Sequence, residues 1–115
     1  MAQQESTRQL RVGRQLQRDL SEIIQQQGMN VYDGALITVT SVRMSPDLAV
    51  AKVWVSIFPS HKAPNVLELL KKQVKNIRGA LGRRVAKQLR IVPELIFQVD
   101  DSLDYVERID ELLNQ

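Results

Sequence analysis

The chain has 115 residues, of which 43% are hydrophobic, and a formal net charge of +3. This length suits one compact domain over residues 1–115 with one core. Cysteine is absent, which excludes disulfides and thiolate metal sites and is typical of a reducing cytoplasm. The sequence also lacks an apolar run of about 18 residues and an apolar N-terminal leader, so we expect no membrane span and no secretion signal.

Residues 5–27 have the pattern of an amphipathic helix. Its apolar residues recur at steps of three and four, which places them on one face: Val12, Leu16, Leu20, Ile23 and Ile24. Ser6 or Thr7 is a suitable cap, and Gly28 is a suitable stop. A row of arginines follows the same steps on another face: Arg11, Arg14 and Arg18. This row is either a solvated surface or part of an anion-binding surface.

Two strands are predicted next. Residues 36–43 are rich in β-branched side chains, and residues 49–58 alternate strictly between two faces. The expected core side of the second strand consists of Ala51, Val53, Val55 and Ile57. Between the strands, Ser45, Pro46 and Asp47 are typical of a tight turn. The sequence therefore predicts a β-hairpin.

Trp54 lies on the other side of the second strand, together with Lys52. An exposed tryptophan beside a lysine can stack a nucleic-acid base. It can equally shield the uncovered face of a small sheet. The sequence favours the second interpretation without excluding the first.

A long apolar stripe predicts helical structure over residues 65–89. Its members are Val66, Leu70, Val74, Ile77, Leu81, Val85 and Leu89. Glycine costs about 1 kcal/mol relative to alanine inside a helix, so Gly79 and Gly82 predict a kink or a junction between two helices. Pro93 ends the helical region. A third strand at residues 95–99 and an acidic amphipathic helix at residues 103–113 complete the chain.

The predicted order is α-β-β-α-α-β-α. The helices must bury their apolar stripes against one face of a three-stranded sheet, which gives a two-layer α+β fold. If the second and third strands are parallel, their connection through the helical region should be right-handed.

Charge is distributed unevenly along the second half of the chain. Residues 71–90 contain no acid but eight basic residues: Lys71, Lys72, Lys75, Arg78, Arg83, Arg84, Lys87 and Arg90. Residues 94–111 contain seven acids and a single base, Arg108. This asymmetry favours a polyanionic partner. The alternative is that the cations only keep the helix soluble.

Gly79 to Gly82 form a G-x-x-G pattern within the basic run. KH domains hold a nucleic-acid backbone with such an element between two helices. Glycine lets a phosphate approach the backbone amides closely. Ala80 and Leu81 stand between the glycines, where KH loops usually carry a basic residue. The glycines therefore predict either a phosphate-binding loop or a packing kink with Leu81 in the core.

Catalytic chemistry finds little support in the sequence. His61, the only histidine, lies in a polar loop without a candidate nucleophile. Asp100, Asp101 and Asp104 lack the spacing of a calcium loop, and the favourable helix dipole explains acids at a helix start better than a metal does. A nuclease needs acids or histidine beside the basic run, but the carboxylates cluster away from it in sequence. We therefore expect no enzyme, no metal and no cofactor.

Three segments resemble the ribosome-binding factor A family. The hairpin from Val42 to Ser56, which reads VRMSPDLAVAKVWVS, is similar to the family pattern V-x-x-S-P-D-L-x-x-A-x-V-aromatic-V-S. Ile77-Arg78 with Leu81-Gly82, and then Leu89 to Leu95, resemble its second segment. Phe97, residues 100–103 and residues 108–113 resemble its end. One departure is that Gln73-Val74-Lys75 replaces the family's Ala-x-Gly at the helix kink, so residues near the kink transfer less directly.

The resemblance implies a KH-like (type II) α+β domain, with order α-β-β-α-α-β and a short C-terminal helix. It also implies a non-catalytic factor that binds the small ribosomal subunit (30S) and supports its late maturation, including 5′-end processing of 16S rRNA, above all in the cold. We expect a cytoplasmic monomer. The alternative is a basic protein-interaction module that docks an acidic protein partner.

The candidate RNA-binding residues are the basic residues and glycines of the two helical regions. They are Arg11, Arg14, Arg18, Lys71, Lys72, Lys75, Arg78, Gly79, Gly82, Arg83, Arg84, Lys87 and Arg90.

Overall fold

A computed structural model describes residues 5–101, in the order α-β-β-α-β. Helix α1 spans Thr7–Gln27, and the hairpin strands β1 and β2 span Leu36–Met44 and Val50–Phe58. Helix α2 spans Ala63–Val85, and β3 spans Glu94–Val99. Short 3-10 turns at Met29–Tyr32 and Ser60–Lys62 follow α1 and precede α2. The helix predicted at residues 103–113 lies outside the described residues.

Helix α1 ends at Gln27, as the sequence predicts, and begins at Thr7, two residues after the predicted start. The Ser6 backbone amide donates to Gln9 Oε1 at 2.7 Å, and the Gln9 amide donates to Ser6 Oγ at 3.1 Å, which is a capping box. Gly28 ends the helix at φ 89°, a left-handed conformation that glycine adopts without strain. Both the predicted cap and the predicted stop are confirmed.

The sheet has the order β1-β2-β3, with β1 antiparallel and β3 parallel to β2. The hairpin turn closes through the Leu48 amide, which donates to Ser45 O at 2.9 Å. The predicted alternation of β2 is confirmed, because its core-side residues are all buried: Ala51, Val53, Val55 and Ile57. A bulge at Thr40 interrupts the register of β1, and the Thr40 hydroxyl donates to Asp100 Oδ2 at 2.8 Å.

The two helices contact each other, with α1 packed on β1 and α2 packed on β3. Leu16 and Leu20 of α1 and Leu70 and Ile77 of α2 are completely buried. The two-layer α+β architecture is therefore confirmed. The opposite face of the sheet carries residues such as Lys52 and Ile96, both exposed. No helix between residues 5 and 101 has the length and apolar character that crossing a membrane requires.

The predicted junction at Gly79 and Gly82 is wrong. Helix α2 runs through both positions without interruption, and in the described part of the chain only Gly28 and Gly34 are glycines with positive φ. Two helical glycines cost about 2 kcal/mol together. Burial of the apolar stripe outweighs that cost, because each fully buried Leu or Ile contributes about 1.5–3 kcal/mol. The G-x-x-G pattern is thus helical, and the order has one helix where two were expected.

Helix α2 also ends earlier than predicted, at Val85 rather than near Leu89. The amides of Gln88 and Leu89 both donate to Val85 O, at 2.8 and 2.9 Å, which forms a final turn. The chain then returns along α2 to β3, and Lys87 and Arg90 lie on this return segment rather than on the helix.

Candidate nucleic-acid interface

The predicted arginine row on α1 lies on the solvent side of the helix. Arg11, Arg14 and Arg18 are all exposed. Arg8, which is not among the predicted residues, is also exposed and extends the row by one further step of three residues. That step is the signal that could have identified it, since side chains three apart share a helix face.

A hydrogen-bonded network joins α1 to α2 beside this row. Arg18 Nη2 donates to Gln15 Oε1 at 2.8 Å, and Gln15 Nε2 donates to Asp19 Oδ2 at 3.0 Å. Across the seam, Arg84 Nη1 contacts Asp19 Oδ1 at 3.5 Å and forms an ion pair with Glu22. The hydrogen bond to Glu22 is the main cause that raises the pKa of Arg84. Two carboxylates therefore compensate the charge of Arg84, which acts mainly as a link between the helices.

Arg78 also has a structural task. Its Nε donates to Pro93 O at 3.1 Å, and its Nη2 donates to Val92 O at 2.9 Å. Both acceptors belong to the segment that leads into β3, so Arg78 fixes that segment against α2. Two of its five N–H donors are occupied and the side chain is half-buried, so Arg78 is a weaker candidate for phosphate contact than the exposed cations.

The other basic candidates on α2 face solvent. Lys71 pairs with Glu68 at 3.4 Å. A second set, Lys72, Lys75, Gly79 and Arg83, recurs at steps of three and four and is exposed throughout. Gly79 therefore lies inside a basic stripe. Because glycine has no side chain, it leaves space between Lys75 and Arg83.

Gly82 is not part of that stripe. A Cβ at this position would stand 3.0 Å from Val92 Cγ2. Gly82 thus permits close packing of the return segment on α2, which is the packing interpretation of the G-x-x-G pattern. Leu81 is completely buried, as that interpretation requires.

Every carboxylate on the two helices has a cationic partner: Asp19 and Glu22 pair with Arg84, and Glu68 pairs with Lys71. The remaining exposed cations of the helices have no acidic partner among residues 5–101. We call this set the basic helical surface, and it consists of Arg8, Arg11, Arg14, Arg18, Lys72, Lys75 and Arg83. The two helices contact each other, so these side chains share the helical side of the molecule. Lys87 and Arg90 are exposed at its edge.

The face of the sheet opposite the two helices is a weaker candidate for binding RNA. Trp54 is half-buried there and lines a groove of about 440 Å³ together with Arg43. Glu5 and Asp100 line the same groove, and Glu5 pairs with Arg43 at 2.8 Å. Two carboxylates beside the tryptophan disfavour a phosphate backbone at this position.

No group of three metal-binding side chains occurs between residues 5 and 101. Asp104, the third acid of the group with Asp100 and Asp101, lies outside the described residues. His61 is exposed on the short turn before α2, as expected for a surface loop residue.

An excess of cations on one helical face of a small two-layer α+β domain is typical of proteins that bind polyanions. The sequence model of ribosome-binding factor A matches residues 8–113. The chain is 44% identical to ribosome-binding factor A of Flavobacterium psychrophilum, over 95% of this chain and 85% of the relative. It is 42% identical to that of Afipia carboxidovorans, over 94% and 77%. The chain therefore belongs to the ribosome-binding factor A family.

Solved structures agree with this assignment. The crystal structure of ribosome-binding factor A from Thermus thermophilus superposes with a TM-score of 0.68 at 32% identity, over 79% of this chain and 94% of that chain. A homology model of Thermus thermophilus ribosome-binding factor A, fitted into a cryo-EM map of a 30S complex, gives a TM-score of 0.63, also at 32% identity, over 77% and 91%. The predicted family is thereby confirmed.

Proposed function

We propose that this chain is a non-catalytic assembly factor that binds the small ribosomal subunit through contacts between its basic helical surface and rRNA. The observation that carries the proposal is the set of helical cations that have no acidic partner within residues 5–101. Such cations displace counterions from phosphates, which drives association with RNA. The Thermus thermophilus relative fitted into a 30S complex map supports the small subunit as the partner.

The family resemblance supports a finer proposal. We propose that the chain acts in late maturation of the subunit, including processing of the 16S rRNA 5′ end, and that its importance is greatest in the cold. A cytoplasmic monomer of one domain without a cofactor suits this role. Depletion in the cold should then increase the fraction of 16S rRNA with an unprocessed 5′ end, and normal processing would contradict this part.

Binding is tested by sedimentation with salt-washed small subunits at increasing KCl concentration, with large subunits as the control. We expect the chain to sediment with the small subunit and to be released as salt rises. An acidic protein at the same concentration tests the second candidate function, a basic module that docks an acidic partner. Binding to the acidic protein without binding to the subunit would overturn the proposal.

A further inference from the structure

A groove of about 280 Å³ lies at the hairpin end of the molecule. The hairpin turn, the start of α1 and the return segment after α2 each contribute to its walls. Arg8 and Arg90 line it from α1 and from the return segment. Both side chains are exposed, and neither has an ion-pair partner within residues 5–101. Arg8 is also one end of the basic helical surface, so the groove continues that surface.

The same groove has an apolar wall. Ile91 is 73% exposed, more than any other large apolar side chain in the described part of the chain. Leu48 and Leu89 line the groove and are half-buried. Leu48 adopts φ 62°, a left-handed conformation that costs a residue with a side chain about 1–2 kcal/mol. The turn thus holds an apolar side chain in the groove in spite of strain.

Asp47 is the single carboxylate among the described residues that line the groove. Its Oδ1 accepts hydrogen bonds from the Ser45 hydroxyl at 2.7 Å and the Ala49 amide at 3.1 Å. These hydrogen bonds lower the pKa of Asp47, so it is ionised at neutral pH and bonded to the turn. The two guanidinium groups still leave the groove net positive.

We propose that this groove binds one unpaired nucleotide of the RNA, with its phosphate between Arg8 and Arg90 and its base against Ile91. Guanidinium groups match phosphate oxygens in charge and geometry. An exposed apolar side chain can pack against the flat face of a base. That face is accessible when the base is unpaired and splayed out. This inference rests on the proposed function. It adds that the hairpin end of the molecule selects RNA with an unpaired nucleotide.

The test compares Arg8→Gln, Arg90→Gln and Ile91→Ser with two matched controls on other surfaces, Lys52→Gln and Met29→Ser. All five positions are exposed, and thermal unfolding verifies that the variants fold. The probes are salt-washed small subunits, a short mixed-sequence single-stranded RNA, and the same RNA as a duplex. Affinity for each probe is measured as a function of KCl concentration.

The two kinds of variant should differ in salt dependence. Each arginine variant should reduce the slope of log affinity against log salt by about 0.7–0.9. Ile91→Ser should weaken binding to single-stranded RNA and to the subunit by about threefold to tenfold at every salt concentration, with an unchanged slope, because it removes apolar contact and no charge. Duplex binding by Ile91→Ser should stay at the wild-type value, as should the affinity of both controls for every probe.

Wild-type affinity of Ile91→Ser for single-stranded RNA would overturn the inference, as would equal losses on single-stranded and duplex RNA. Failure of the wild-type chain to bind the subunit would instead refute the proposed function. The oligonucleotide measurements would still decide whether the groove selects an unpaired nucleotide.

Discussion

At the scale of single residues, the two glycines of α2 differ in their surroundings. A Cβ at Gly79 would meet only Arg83 Nη1, at 3.9 Å, whereas a Cβ at Gly82 would stand 3.0 Å from Val92 Cγ2. The first distance is an ordinary contact. The second requires Val92 to move, although hydrogen bonds from Arg78 hold the carbonyls of Val92 and Pro93.

Gly79→Ala should therefore raise the free energy of unfolding by about 0.5–1 kcal/mol, because alanine favours a helix. Gly82→Ala should be less stable than Gly79→Ala by about 1 kcal/mol or more, since crowding in a packed site opposes the same propensity gain. Urea unfolding of both variants measures the difference. Equal stabilisation by the two substitutions would show that the return segment shifts freely.

Gly13 on α1 is a stronger case of close approach. It is buried, and a Cβ there would lie 2.8 Å from the backbone carbonyl oxygen of Val42 on β1. Backbone of a paired strand cannot rotate away as a side chain can, so α1 would have to move. We expect Gly13→Ala to lower the free energy of unfolding by about 1–3 kcal/mol, measured by urea unfolding. Wild-type stability would mean that α1 can separate from β1 at no cost.

At the scale of elements, the sequence predicts best what short-range rules determine. The alternation of β2 and the polar turn at residues 45–47 are local patterns, and both strands of the hairpin lie within one residue of their predicted bounds. The residue that crowds position 82 is Val92, which lies ten residues away on the return segment. Periodicity along one helix contains no information about such a contact, so the sequence could not tell a packing glycine from a helix junction.

In the candidate site, too, local spacing predicts some features, whereas others depend on residues distant in the chain. Exposure of the arginine row on α1 follows from helical spacing and was predictable. The structural tasks of Arg78 and Arg84 depend on partners elsewhere in the chain, namely the return segment and the acids of α1. Counting charges along the sequence does not distinguish these two arginines from their basic neighbours. The structure distinguishes them, because both hydrogen-bond to other parts of the chain.

Arg78 and Arg83 therefore form a matched pair for experiment. Arg78→Gln should lower the free energy of unfolding by about 1–3 kcal/mol, because two carbonyl acceptors lose a charged donor. Arg83→Gln should leave stability unchanged within about 0.5 kcal/mol while reducing the salt slope of subunit binding. Urea unfolding and sedimentation measure the two effects. A destabilised Arg83→Gln, or an unaffected Arg78→Gln, would contradict this assignment.

At the scale of the whole molecule, the two sides differ in electrostatic character. The helical side has cations without acidic partners among residues 5–101. On the sheet side, the groove beside Trp54 is lined by Glu5 and Asp100, and Arg43 is paired with Glu5. An RNA surface carries closely spaced phosphates, so the side with uncompensated cations gains more from association.

Replacing Arg11, Arg14 and Arg18 together with glutamine tests this orientation. The three positions are exposed and lie away from the core face of α1, so thermal unfolding should be close to that of the wild type. If all three contact phosphates, the slope of log affinity against log salt should fall by about 2–3. The matched control is Arg43→Gln with Lys52→Gln on the sheet side, which should leave the slope unchanged. A larger decrease in the salt slope for the control than for the triple variant would place the RNA on the sheet instead. Trp54 would then become the residue to test for base stacking.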